Sequence, residues 1–401
     1  MIYRKPLQIV FIFKERISFN HSIKVTYSQT LRKFNALMPS FRLHTPAVRY
    51  ELSELIDWSE EHSNRDLLAA EVATLAGYWL HDRNTFEFKT SGSTGTPKTI
   101  AVHRSQIVAS AHATLTFFGL QPGAAVVCPL SLSVVGGQMM VYRSLIGALE
   151  LYVIPADKTL SQLNMNVRYD FMPISAIQLY SILKDDVEKT HFINGIKNIL
   201  IGGSSISEQL LKLIQGKLTC NVWHSYGMTE TVSHIALRRV HPQEEHMYTL
   251  LDSIETKLDE RSCLAVKGAV TNDRWIQTND IVECIHSNQF NFIGRSDFTI
   301  NSGGIKIQVE PLEKIVETIF SELKLSMPFF IGGIADEALG EKTILVIETE
   351  MLSEELKLQL QYKLKDRLPK YHSPKEIRAA SFIYTSSGKI NRKETLKKIG
   401  Q

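Results

Sequence analysis

Residues 88–98, FKTSGSTGTPK, gather hydroxyl side chains around two glycines and end in a proline and a lysine. Gly92 and Gly95 allow positive φ and a close approach of backbone to a ligand, Thr90, Ser91, Ser93 and Thr94 add hydroxyl donors, and Lys98 supplies a mobile positive charge. Such a set of groups suits a phosphate. A Walker loop needs G-x-x-x-x-G-K-[ST] at the start of a helix. Here Pro97 stands where the second glycine belongs and removes a backbone donor, which excludes that loop. The residues alone leave two readings open, a phosphate loop of another kind and a plain Ser/Gly/Thr surface loop.

The segment resembles the phosphate loop of the adenylate-forming superfamily (acyl- and aryl-CoA synthetases, adenylation domains of peptide synthetases, luciferases), an aromatic residue followed by T-S-G-[ST]-T-G-x-P-K. Further segments match in the family's order, from about residue 85 to about residue 396. Gly202, Gly203 and Ser204 match the segment that lies along the adenine in that family. Tyr226, Gly227, Met228, Thr229 and Glu230 match its Y-G-x-T-E signature. The resemblance implies a tyrosine ring against the purine, a threonine hydroxyl on the α-phosphate and Glu230 holding magnesium on phosphate oxygens. It assigns Asp280 to the ribose hydroxyls and Arg295 to ribose or phosphate oxygens, with T-N-D here where T-G-D is more usual. It places the hinge at Asp297, a flexible turn at Ser302, Gly303 and Gly304, and the catalytic lysine at Lys389 in S-G-K-I-N-R. A mobile lysine can neutralise charge as a carboxylate attacks the α-phosphate, and loss of one such donor typically costs on the order of 10² to 10³ in rate.

Several elements must position these groups. Residues 51–80 show apolar residues at helical spacing, among them Leu67, Leu68, Val72 and Leu75, and precede a strand that delivers Phe86 and Phe88. A helix over 103–118 ends at Gly119, so the loop is expected between a strand and a helix. Ala124–Leu130 reads as a strand, followed by a helix from Gln138 that carries Arg143 as one solvated arginine on a core-facing helix. Leu132, Ser133, Val134 and Val135 replace the aromatic residue or histidine that relatives carry before the Gly-Gly. Ile199–Ile201 reads as a buried strand, Gly202 and Gly203 as a turn, and Ser205 with Glu208 as a capping box for a helix ending at Gly216. A strand, a glycine turn and a helix start place a ligand at the carboxyl end of a sheet. Asp280 is expected at a strand end, and a helix over 353–368 in the last part of the chain.

The 401 residues, 44% hydrophobic, suffice for two or three domains. Residues 1–37 hold seven Lys/Arg against one Asp/Glu, whereas the rest holds 38 against 41, so the body is not a basic nucleic-acid binder. The apolar run Ile9 to Phe13 is too short for a membrane span and lacks a small-residue cleavage site after it. This head reads as a surface arm, a weak targeting segment, or a start set too early with Met38 the true beginning. Cys128, Cys220, Cys263 and Cys284 show no C-x-x-C pair and read as neutral thiols of a reducing cytoplasm.

The resemblance implies an α/β fold: a large domain over 38–296, built of αβ subdomains with mixed sheets, and a small mobile α+β domain over 297–401. It implies ATP, magnesium and coenzyme A, and an aromatic carboxylate activated as an acyl-adenylate and passed to the thiol. Fewer than ninety residues precede the loop, and with YGMTET followed by SHIALR the chain looks most like the short o-succinylbenzoate:CoA ligases of menaquinone biosynthesis. A dicarboxylate needs a second cation or donor set, for which Arg143, His224 and His234 are the candidates. Two other readings stay open, a stand-alone aryl- or amino-acid adenylation enzyme loading a carrier protein, and a non-catalytic nucleotide-binding relative.

Overall fold

The structure is a computed structural model and describes residues 41–56, 66–81, 83–89, 98–286, 288–385 and 390–399. Thr90 to Gly95, Lys389 and the basic head lie outside these residues, as does the Cys284 side chain.

In chain order the first strands are β1 (Arg42–His44), β2 (Arg49–Glu51), β3 (Thr85–Lys89), β4 (Thr99–His103), β5 (Ala125–Cys128), β6 (Glu150–Val153), β7 (Phe171–Ser175), β8 (Asn198–Gly202) and β9 (Asn221–Met228). They continue as β10 (Ser233–His241), β11 (Tyr248–Leu250), β12 (Ile254–Leu258), β13 (Cys263–Gly268), β14 (Ile276–His286) and β15 (Gln289–Arg295). All but β3 and β4 join one sheet, ordered β12-β13-β14-β15-β11-β10-β9-β8-β7-β5-β6-β1-β2. Its middle, from β1 through β6, β5, β7 and β8 to β9, is parallel, and the strands beyond β9 are antiparallel.

The parallel block is apolar on both faces because helices cover both. Val126, Cys128, Phe171 and Leu200 pack with the helices Leu67–Leu80, Arg104–Phe118 and Val135–Gly147. Their neighbours Val127, Met172, Ile174, Ile199 and Ile201 face the opposite layer with the helices Ala176–Asp185 and Glu208–Lys217. Alternation along each strand thus divides one apolar run between two cores.

Four local expectations change. In the helix Leu67–Leu80, Asp66 is the N-cap and the buried face is Ala69, Val72, Ala73, Ala76 and Trp79, so Leu67 points outward at 74% exposure. Residues 90–98 join two antiparallel strands, since TIAVH pairs with β3 as β4 before the helix Arg104–Phe118 begins. That helix ends at Gly119, φ +61, as expected. The helix Glu208–Lys217 is capped by Ser207, whose Oγ accepts from Leu210 N at 3.2 Å, rather than by Ser205. Residues 203–206 are used in the turn itself, which moves the cap along. Asp280 lies inside the eleven-residue β14, where a register shift follows at Ile281/Val282.

A short 3-10 turn, Ser296–Phe298, containing Asp297, leads to a second sheet. This holds β16 (Ile300–Ser302), β17 (Ile305–Ile307), β18 (Phe329–Asp336), β19 (Gly340–Glu348) and β20 (Glu376–Ala380). Gly303 and Gly304, both at positive φ, make the β16–β17 hairpin. The helices Val309–Glu322 and Glu354–Arg367 pack on this sheet around Ile319, Leu345 and Leu360. The molecule is thus α/β, with a large mixed sheet and a smaller α+β unit.

Candidate functional site

The site forms where β8 and β9 reach their carboxyl ends beside β14 and β15. Gly202 ends β8 opposite Ser175, and Gly203 turns with φ +83, a conformation that glycine adopts without strain. Ser204 follows and is exposed.

On β9, Tyr226 and Gly227 run into a 3-10 turn, Thr229–Thr231, which holds Thr229 and Glu230. Gly227 is required by the close return of the chain, since a Cβ there would stand 2.2 Å from the Ser233 carbonyl oxygen. The turn leaves through Val232 at φ +52 and Ser233 at φ +89, both strained for residues with side chains. Hydrogen bonds hold it. Thr231 Oγ1 donates to the Ser233 carbonyl at 2.8 Å, and Ser110 Oγ to the Val232 carbonyl at 2.7 Å.

Asp280 and Arg295 are direct partners across β14 and β15. Arg295 Nη1 donates to Asp280 Oδ1 at 3.2 Å, and Tyr226 Oη donates to Asp280 Oδ2 at 2.7 Å. Burial and then the adjoining Asp280 raise the Tyr226 hydroxyl far above its ordinary pKa, so it stays a donor. The second arm of Arg295 reaches Asp297 Oδ2 at 2.6 Å, and Asn279 Nδ2 donates to Asp297 Oδ1 at 2.9 Å. Arg295 N donates to Glu310 Oε1 at 2.9 Å. The structure therefore brings Tyr226, Asp280, Arg295 and Asp297 into one network.

Arg143 differs from the sequence expectation of a solvated arginine. It is 2% exposed, its Nη2 donates to Ser233 Oγ at 3.1 Å, and its Nε has no hydrogen-bond partner. Burial lowers its pKa to about 10. Among the described residues no carboxylate pairs with it, an uncommon condition for a buried guanidinium. His234, also buried, lies between Thr114 Oγ1 at 3.2 Å and Ser233 Oγ at 3.4 Å. Burial and then Arg143 hold its pKa well below the ordinary value. Arg143 and His234 thus meet at Ser233. His224 does not join them, because its two ring nitrogens face Ser204 and Tyr248.

Sequence reasoning missed Tyr248, Ser110 and Ser233, which meet the motif residues only through strand pairing or helix packing across the fold. Lys98 is exposed just ahead of β4. Among the described residues no group of three or more His, Cys, Asp or Glu could hold a metal. No helix among them is long and apolar enough to cross a membrane.

A family model described as AMP-binding enzyme matches residues 86–260. A 2-succinylbenzoate--CoA ligase from Staphylococcus epidermidis is 24% identical, over 92% of this chain and 81% of its own length. An acyl-CoA synthetase (AMP-forming)/AMP-acid ligase II-like protein from Dyadobacter fermentans is 36% identical, with a TM-score of 0.56, over 84% of this chain and 95% of that one. The o-succinylbenzoate coenzyme A synthetase of Bacillus subtilis, solved in complex with AMP, shares the fold with a TM-score of 0.72 at 16% identity, over 91% of this chain and 97% of that one. Order, spacing and overall similarity agree, and the chain belongs to the AMP-binding, adenylate-forming enzymes related to acyl-CoA synthetases.

Proposed function

We propose that the protein activates a carboxylate with ATP and transfers the acyl group to coenzyme A, and that the acid is o-succinylbenzoate. The observation that carries the reading is the Tyr226–Asp280–Arg295 network set beside the Gly202–Ser204 and Thr229–Thr231 turns. Asp280 keeps acceptor capacity on both oxygens for ribose hydroxyls, and Arg295 offers an ionic donor next to it. Gly203 has open space where a Cβ would stand, which leaves the outer face of that turn to a flat ligand. These groups fit a nucleotide. Magnesium, when bound, would shield phosphate charge, and one carboxylate, Glu230, suits an ion that keeps phosphate oxygens and waters as its other ligands.

In this reading Thr90 to Gly95 and Lys98 grip the departing phosphates, Thr229 holds the α-phosphate and Lys389 neutralises the charge developing there. The chain's work is positioning and charge neutralisation. The small unit then turns about Asp297, and the coenzyme A thiol attacks the acyl carbon as AMP leaves. Arg143 and His234 serve the second carboxylate of the acid, since Arg143 is a buried guanidinium with no acidic partner among the described residues.

Pyrophosphate release measured with a panel of acids tests this. Turnover with o-succinylbenzoate well above benzoates and fatty acids supports it; release with those acids and none with o-succinylbenzoate rejects the substrate, and silence with every acid rejects the activity.

A further inference from the structure

We infer that His224, held in one tautomer by Tyr248, is the positioning residue for the turn that follows β8, and not a ligand of the acyl group. The inference rests on the reading above that residues 202–204 lie along the nucleotide. His224 sits on β9 opposite Ile201 of β8 and is 7% exposed. Its Nε2 lies 2.9 Å from the Ser204 carbonyl oxygen. A carbonyl only accepts, so Nε2 carries the proton. Nδ1 is then an acceptor, and Tyr248 Oη donates to it at 2.7 Å. Both nitrogens are satisfied in one neutral tautomer, which leaves neither for a substrate.

Tyr248 is in turn fixed. It is 7% exposed, and its ring is stacked on Phe290 with centroids 5.5 Å apart and an angle of 19°. Arg238 stands over its ring at 5.6 Å. Burial and then Arg238 lower the His224 pKa to about 4, which keeps the neutral form in place near neutrality.

The turn needs such support. Among the described residues, Ser204, Ser205 and Ile206 take no hydrogen bond except the one from His224. The relay Tyr248–His224–Ser204 therefore sets the backbone path from behind and leaves the outer face clear. The same aromatic group reaches the other half of the site. The Tyr226 ring lies 5.7 Å from Tyr248 and 5.0 Å from Phe290, and its hydroxyl holds Asp280. Tyr248 thus stands between the turn and the carboxylate proposed for the ribose.

Three full-length variants test the relay. Tyr248→Phe removes only the hydroxyl and keeps the ring on Phe290; His224→Leu removes the donor to Ser204; His224→Gln retains an amide donor. In Tyr248→Phe and His224→Leu, KM for ATP should rise roughly tenfold, the cost of one buried hydrogen bond, with KM for the acid and kcat nearly unchanged. His224→Gln should recover most of the loss. An unchanged KM for ATP in both variants, or a rise confined to the acid, overturns the inference. Nitrogen NMR of the wild-type imidazole supplies a readout apart from turnover. A proton on Nε2 and none on Nδ1 at pH 7 is expected, and the opposite tautomer overturns the inference whatever the activity. Wild-type silence in ATP–pyrophosphate exchange would instead bring down the parent reading, with the tautomer still deciding the relay.

Discussion

Asp280 and Arg295 face each other across β14 and β15, joined at 3.2 Å, while the other oxygen of Asp280 receives Tyr226 Oη at 2.7 Å. The carboxylate is thus oriented from two sides before any ligand arrives. Asp280→Ala should raise KM for ATP by about 10- to 100-fold, the usual loss for hydrogen bonds to a charged group. Tyr226→Phe removes only one of the orienting donors and should cost less than tenfold. Initial rates of pyrophosphate release at varied ATP measure both. Equal losses would mean that orientation, not the carboxylate itself, carries the affinity.

The parts of this site written in local chemistry were legible from sequence. Gly119 ends its helix and Gly303 and Gly304 make their hairpin because those positions need positive φ. The parallel strands were legible as short apolar runs. Arg143 was not, since helical periodicity shows that a helix has a buried face but not that a second layer covers a polar position on it. Ser205 and Ser207 are both chemically able to cap, and only the length of the preceding turn decides between them. The His224–Tyr248 contact depends on where β11 enters the sheet, beside β10 and β15, and no spacing in the chain encodes that.

Acid should destabilise the protein through its buried histidines. The folded pKa of His224 is about 4, below the ordinary 6.5, because burial and Arg238 disfavour the charged form. Its contribution is fully present above pH 6.5 and is lost as pH falls through 4, a difference on the order of 3 kcal/mol. His234, lowered by burial and Arg143, acts in the same direction. Thermal melts between pH 7 and pH 4.5 should show a falling Tm in wild type and a shallower fall in His224→Gln. Parallel curves would show that His224 does not titrate in this way.

Glu313 should behave in the opposite sense. It lies on the helix Val309–Glu322, accepts from Ile331 N at 2.7 Å and pairs with Arg392 Nη2 at 2.8 Å. Burial, only partly opposed by Arg392, pushes its pKa up to about 7 from the ordinary 4.5. A carboxyl raised on folding contributes stability that is complete below pH 4.5 and lost as pH rises through 7. Glu313→Gln cannot ionise, so its stability relative to wild type should grow between pH 5 and pH 8, by an amount on the order of 3 kcal/mol. The same change removes the charge that anchors Arg392, which stands over the Phe298 ring at 4.7 Å, one residue past Asp297 and three past Lys389 in its own segment. The variant should therefore also be slower than wild type in pyrophosphate release at pH 8. It should still convert supplied acyl-adenylate to thioester, as should Lys389→Ala. Pyrophosphate release at the wild-type rate in Glu313→Gln would mean that the ion pair serves the packing of the small unit alone.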